Sequence, residues 1–296
     1  MTSSFALPCR VWLAAFVLAA STLMFCPFSL FADDPGLALQ FDGASDFVRL
    51  SPTIDMMGAG WESAKTVTLW VNPTGTATCT STTPVSCDAI FGDKPRLWGM
   101  SRGSINGQDR IWVFNWDRTL DRIGVPYTAG EWIHIAMVHG GGRLTAYKNG
   151  LVVGDIASGA TSYAAGTPLV LQMGGIINNS TQNWTFEGQI DEVQIWNRAL
   201  SAEEVSKGMN QVLAGDEAGL AAYYQMSDGS GAMLTDDSVY SWEGTLWDGC
   251  CGVPADGPIL WVPSGAFGVE ESQALDDQSS ALMLAGDEES YPASEE

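Results

Sequence analysis

The sequence predicts an all-β fold: two packed antiparallel sheets with one short surface helix. Three observations predict it. From Leu37 onward, short runs alternate apolar and polar residues at a period of two, the pattern of strands that bury one face. Turn residues separate those runs, with 33 glycines in 296 residues and an Asn149-Gly150 pair between two of them. One segment, Ser201 to Lys207, stands out as a helix by its capping residues.

Taken in order, the chain opens with an address. Arg10 precedes an almost wholly apolar stretch from Val11 to Phe31, which ends at Ala32 before Asp33-Asp34. A short basic start, an apolar run and a small residue read as a secretory signal peptide over residues 1–32. The run is long enough to cross a bilayer, so an uncleaved anchor is the competing reading. The expected location is therefore secreted or cell surface, with membrane contact only if the leader is retained.

The body spans residues 33–268. Strands are expected at Ala38 to Phe41, Thr66 to Val71, Arg110 to Trp116, Trp132 to Val138, Arg143 to Tyr147 and Gln189 to Trp196. In the second of these, Val67, Leu69 and Val71 fall on one face. Lys148-Asn149-Gly150 joins the strand ending at Tyr147 to Leu151-Val152-Val153, because a type I′ hairpin turn needs positive φ at both central residues. Ser201 with Glu204 forms a capping box, each satisfying an orphan backbone donor, and Val205 and Met209 would face the body. Residues 269–296 form a tail rich in Asp, Glu and Ser and free of Lys and Arg, which reads as disordered.

Charge excludes some partners. Thirteen basic residues against 35 acidic ones give a net charge of −22, and no Lys or Arg follows Lys207. Nucleic acid needs a basic footprint that this chain lacks. Without the leader four cysteines remain, Cys79, Cys87, Cys250 and Cys251, which allow three pairings. Cys79 with Cys87 is the preferred pair, stapling the Ser/Thr/Pro-rich loop between them. Zinc fits less well in spacing and in supporting histidines.

Four ordered motifs carry a family resemblance. Leu39-Gln40-Phe41-Asp42-Gly43 with Asp46-Phe47-Val48, then Glu131-Trp132-Ile133-His134-Ile135-Ala136 with the Asn149-Gly150 hairpin, come first. Gly188-Gln189-Ile190-Asp191-Glu192-Val193 with Trp196-Asn197-Arg198-Ala199-Leu200-Ser201, then Gly219-Leu220-Ala221-Ala222-Tyr223-Tyr224, follow. Together they resemble laminin-G-like and pentraxin-like jellyroll domains of the concanavalin A-like lectin and glucanase superfamily, over about Leu37 to Gly268. The resemblance implies a jellyroll sandwich with the helix placed after the Ile-Asp-Glu-Val strand. It further implies a calcium site from Asp42, possible partner Asp46 and Asp191, against the alternative that these carboxylates cap turns and bond backbone amides.

Fold alone leaves the function open. Carbohydrate binding would use aromatic platforms, and Trp98 and Trp184, in glycine- or asparagine-rich segments, are the exposed candidates. Trp112, Phe114 and Trp116 share a strand face; core packing is their first reading, with Trp116 kept as a further sugar-stacking candidate. A glycosidase would need two carboxylates astride the sugar bond. Glu187, Gln189 and Asp191 share a face, but the middle position is Gln and Gly188 interrupts. The expectation is a noncatalytic module that binds a glycan or a glycosylated surface protein. The alternatives are a structural or adhesive protein-contact module and, more distantly, a glycoside hydrolase.

Overall fold

The computed structural model describes residues 36–50, 60–75, 77, 79, 87–94, 96–105, 107–163, 170–179, 182–249 and 257–266. The expected leader, Cys250 with Cys251 and the acidic tail lie outside the described residues. In chain order the strands are β1 (Leu37–Asp42), β2 (Phe47–Leu50), β3 (Lys65–Pro73), β4 (Asp88–Asp93), β5 (Trp98–Ile105) and β6 (Gln108–Trp116). Then come β7 (Leu120–Val125), β8 (Ile133–Gly140), β9 (Arg143–Lys148), β10 (Leu151–Ala157), β11 (Leu171–Met173), β12 (Gly175–Asn179) and β13 (Gln182–Thr185). After β14 (Glu187–Trp196) the helix α1 (Ala202–Gly208) leads to β15 (Leu220–Tyr224), β16 (Met233–Leu234), β17 (Gly244–Trp247) and β18 (Leu260–Pro263).

Two large antiparallel sheets form the sandwich. The first runs β10-β9-β8-β3-β14-β1-β18, with β15 also paired to β14; the second runs β16-β17-β2-β11-β4-β5-β6-β7. β12 and β13 make a separate hairpin. β1 pairs with both β14 and β18, so the two ends of the described chain lie side by side, as in a jellyroll. On the other side of β14 from β3, β1 takes its first half and β15 its second.

Alternation sets the core. Val67, Leu69 and Val71 of β3 meet Ile90, Met100 and Val113 of the second sheet in the central cluster. Every residue of β3 is nevertheless buried, so its polar face is covered as well. The cover is α1. Ser201 and Glu204 form the expected capping box, and Val205 packs with Ala136, Val138, Tyr147, Trp196 and Leu200 against the outside of the first sheet.

Two turns fix the register. Asn149 at φ 49° and Gly150 at φ 78° make the expected hairpin turn between β9 and β10, and Asn149 Oδ1 accepts the His134 N–H at 2.9 Å. Gly174, at φ 73°, has no room for a side chain: a Cβ there would lie 2.0 Å from Phe41 Cε1. A tight polar network closes one end of the sandwich. The Lys65 ammonium donates to Thr161 Oγ1 at 2.7 Å, and that hydroxyl donates to Asn115 Oδ1 at 2.6 Å. Burial pulls the Lys65 amine down to about 7, against the opposing charge of Asp93.

Candidate functional site

The second sheet turns a crowded polar and aromatic face away from the core. In β6 it is Ile111 and Val113 that join the central cluster. Trp112, Phe114 and Trp116 therefore point to the other face, which corrects the expectation that they fill the central core, although Trp112 and Phe114 are buried there at 8 and 1 % exposure. Two glycines leave room on this face, Gly124 for the Trp112 ring and Gly103 for the Cys87 sulfur. A Cβ on Gly124 would lie 2.9 Å from the Trp112 ring, and one on Gly103 would lie 2.4 Å from Cys87 Sγ. Trp112 Nε1 donates to the Gly103 carbonyl at 2.8 Å, and Arg122 lies over its ring at 5.6 Å. The disulfide between Cys79 and Cys87 is formed, as expected.

A turn between β4 and β5 contributes Arg96. Asp93 Oδ1 accepts the Leu97 and Trp98 N–H groups at 2.8 and 3.2 Å, and the Arg96 N–H donates to the Asp93 carbonyl at 2.8 Å. Held there at φ 59°, Arg96 reaches back along the sheet and donates to the Cys87 carbonyl at 3.2 Å and to Ser101 Oγ at 3.4 Å. Its guanidinium lies 4.1 Å from the centroid of the Trp184 ring. Burial draws the Arg96 pKa down to about 9, with Asp93 and Asp88 opposing the shift. A stacked guanidinium contributes roughly 1–2 kcal/mol when partly desolvated.

Trp184 comes from β13 and is half-buried. It lies opposite Ile176 of β12, whose Cδ1 would meet a Cβ on Gly92 at 3.2 Å, so the small hairpin rests on the outside of β4. Trp116, also half-buried, donates its backbone N–H to the Leu97 carbonyl at 2.7 Å. The Trp116 backbone thus meets the turn at Leu97, while Trp184 meets the Arg96 guanidinium, which lies further along β5 at Ser101. Trp98 does not join them. It lies in β5, is wholly buried, meets Trp61 edge-on at 5.6 Å and donates from Nε1 to Tyr163 Oη at 2.6 Å. The expectation of an exposed Trp98 platform is corrected: the Asp93 turn starts a strand where the sequence reads as a loop.

The acidic candidates divide. Asp42 and Asp46 share one loop: Asp42 Oδ1 accepts the Ala44, Ser45 and Asp46 N–H groups at 2.8, 3.1 and 3.3 Å, and Asp46 Oδ2 accepts the Asp42 N–H at 3.1 Å. Ser45 Oγ, in the same loop, donates to Asp248 at 3.0 Å. Asp191 lies elsewhere. β1 and β14 are neighbours as expected, but their register sets Asp42 opposite Glu187. Asp191, four residues further along β14, is about 13 Å away at the rise of a strand. It accepts from Ser264 Oγ and from the Glu192 N–H, the latter at 2.8 Å, and burial raises its pKa to about 7. The three carboxylates therefore do not form one ligand set, and among the described residues no group of three or more His, Cys, Asp or Glu is placed to hold a metal.

The same spacing bears on hydrolysis. At the rise of a strand the Cα atoms of Glu187 and Asp191 stand about 13 Å apart, and their carboxyls have separate surroundings, Glu187 beside Gly75 and Asp191 on Ser264, whereas paired glycosidase carboxyls lie roughly 5–9.5 Å apart. Asp191 is followed by Glu192 at a bulge where β14 passes from β1 to β15, with Glu192 at φ 52°. Glu192 accepts a short hydrogen bond from the Tyr223 hydroxyl, and burial raises it to about 8. Both carboxyls are buried, at 2 and 6 % exposure. The two histidines are buried and held neutral, His134 near 3 and His139 near 4, chiefly by desolvation.

No local motif in the sequence marks Arg96 as a site residue. The available signal is the turn-forming run Asp93-Lys94-Pro95-Arg96, which does not say where the guanidinium points.

Known proteins place this geometry. Among solved structures, a Bacteroides ovatus protein provisionally described as carbohydrate-binding is 19% identical with a TM-score of 0.55, covering 76% of this chain and 61% of its own. The chain thus spans less than two thirds of that protein. The heptameric SAP-like pentraxin of Limulus polyphemus is 17% identical, with a TM-score of 0.43 over 59% of this chain and 82% of its own. Domain 4 of an extracellular GH43 arabinanase from Geobacillus stearothermophilus, solved with arabinotriose, is 23% identical, with a TM-score of 0.38 over 57% and 75%. At 19% identity and a TM-score of 0.55, the likeness to the Bacteroides ovatus protein speaks for the fold alone. No curated protein matches the chain. The Laminin_G_3 family matches residues 42–206, more than half of the sequence, and includes β2 through most of α1. The chain belongs to that family, within the concanavalin A-like lectin/glucanases superfamily.

Proposed function

We propose that the chain is an exported, noncatalytic jellyroll module that binds carbohydrate, as free glycan or on a glycosylated surface protein. The single observation that carries this reading is the outer face of the second sheet, where Arg96 stacks on the half-buried Trp184. A sugar ring offers C–H faces to aromatic rings and hydroxyls to planar donors, and this face holds both kinds of partner. The Bacteroides ovatus relative, described as carbohydrate-binding, agrees with the reading. The noncatalytic part rests on the wide spacing of Glu187 and Asp191.

Calcium belongs to the proposal in a supporting place. Asp42 and Asp46, which share one loop, would hold it. Calcium takes about six to eight oxygens, so backbone carbonyls or water would have to complete the set. Chelation is expected to lower the melting temperature; an unchanged melt at low metal removes calcium from the reading.

A glycan array with wild type and Trp184→Ala tests the whole. Specific sugar signals that the variant loses support it. A blank array, or glycan hydrolysis that Glu187→Gln abolishes, overturns it. One observation favours protein contact as the second reading. β10 is the last strand of the first sheet, and it exposes Leu151 (37 %), Val152 (53 %) and Val153 (39 %).

A further inference from the structure

The outside of the first sheet holds a cavity that the carbohydrate-binding reading does not use. It encloses about 400 Å³ between β3, β8 and β14 on one side and α1 with the following loop on the other. Thr68, His134, Gln194 and Trp196 line its sheet side. They come together because the register sets Gln194 beside Thr68 and His134 beside Trp70, all on the face opposite Val67 and Leu69. Leu200, Val205 and Leu213 supply apolar walls. Trp70 Nε1 donates to the Met209 carbonyl at 2.8 Å and so pins the end of α1 over the cavity.

Two lining residues carry unmet polar atoms. Thr68 Oγ1 and His134 Nδ1 are buried with no hydrogen-bond partner, and both residues are 2 % exposed. Leaving such a group unpaired costs about 1–3 kcal/mol. A largely apolar pocket with a few polar groups and a volume of roughly 300–1,000 Å³ is the usual form of a small-molecule site.

The charges around the opening are already engaged. Arg198 pairs with Glu204 at 2.8 Å and donates from Nε to the Ala218 carbonyl at 2.8 Å. Lys207 pairs with Glu203 at 2.6 Å, and Glu217 accepts the Ala214 and Gly215 N–H groups at 2.7 and 3.0 Å. Desolvation also keeps the His134 ring neutral at ordinary pH. Both cations at the opening are thus paired and the Glu217 carboxylate is held by backbone N–H groups, so a charged ligand would exchange its hydration for little, at heavy desolvation cost. A neutral one would not.

We propose that the cavity between α1 and the β3-β8-β14 face is a binding site for a small neutral molecule with a ring-sized apolar body and a hydroxyl group. The hydroxyl would pair with Thr68 or His134, and the ring would lie against Trp196 and Leu200. The site lies on the opposite sheet from Trp184, so it can fail or stand independently of carbohydrate binding.

Benzyl alcohol, benzoate and benzylammonium form a probe series that differs mainly in charge. Each is titrated into the full chain while the Trp196 indole N–H is followed by NMR. Benzyl alcohol is expected to shift that signal saturably, and the two charged probes to bind at least about tenfold more weakly. Thr68→Val removes the hydroxyl with little change of shape. It is expected to leave the melting temperature of the unliganded protein unchanged or higher, and to weaken benzyl alcohol several-fold. Gln194→Leu serves as the second lining variant and is expected to retain the preference for the uncharged probe. No saturable shift with benzyl alcohol, equal binding of all three probes, or a lowered melt in Thr68→Val with undiminished binding would each overturn the proposal.

Discussion

The Arg96 guanidinium and the Trp184 indole form a stacked pair, 4.1 Å from cation to ring centroid, that ties the β12-β13 hairpin to the turn before β5. The pair is held from below, because Arg96 also donates to Cys87 and Ser101. Arg96→Lys keeps the charge but loses the flat stacking surface. It is expected to weaken sugar binding roughly tenfold, equivalent to ~1.4 kcal/mol, in a calorimetric titration. Wild-type affinity in this variant would show that the stack does not position Trp184.

Packing around Gly174 gives the sharpest stability prediction. A methyl group there would overlap Phe41 at 2.0 Å in a backbone conformation with φ 73°. Gly174→Ala combines overpacking with left-handed strain, each costing about 1–3 kcal/mol. Its denaturant midpoint should fall well below that of wild type, with Gly208→Ala, which meets nothing within 4 Å, as the tolerant control.

The disulfide between Cys79 and Cys87 closes a loop of sequence separation 8. By loop-closure entropy such a bond contributes about 2–3 kcal/mol. Reduction should lower the melting temperature of wild type and leave a Cys79→Ser, Cys87→Ser double variant unmoved. Equal response in both would place the reducible bond elsewhere.

Buried acids give a pH dependence with a defined sign. Desolvation lifts Glu192 to about 8 and Asp191 to about 7, above their unfolded values. The native protein therefore retains these protons longer than the unfolded chain, and the stability they contribute at low pH is lost as pH rises through about 8. Glu192→Gln removes one of the groups while still accepting from the Tyr223 hydroxyl. The melting-temperature difference between this variant and wild type should grow in the variant's favour from about pH 5 to pH 8. A difference that stays flat across that range would mean Glu192 ionises normally in the fold.

Much of the architecture is readable from local pattern. β3, β6, β8 and β9 follow from period-two alternation, the β9-β10 hairpin from Asn149-Gly150, and α1 from Ser201 with Glu204. What escapes is set by long-range register. Asp42 faces Glu187 rather than Asp191 because β1 joins the first half of β14, a choice no local motif encodes. Trp98 reads as a loop residue because its neighbours are turn formers, yet Asp93 caps the turn and starts a strand into the core. In β6 both faces carry apolar residues, so alternation cannot tell which one meets the core. The cavity at Thr68 and His134 needs three strands and a helix from distant parts of the chain.

The strands that complete both sheets lie past the family match at 42–206. β15 pairs with β14, β17 with β2, and β18 with β1, whose own residues mostly precede the match. A fragment trimmed to the matched span would lose all three pairings and the Tyr223 partner of Glu192. Its severed ladder edges would invite intermolecular β-pairing in place of a soluble unit. A fragment that keeps both sheets whole therefore has to include Leu37 through Pro263.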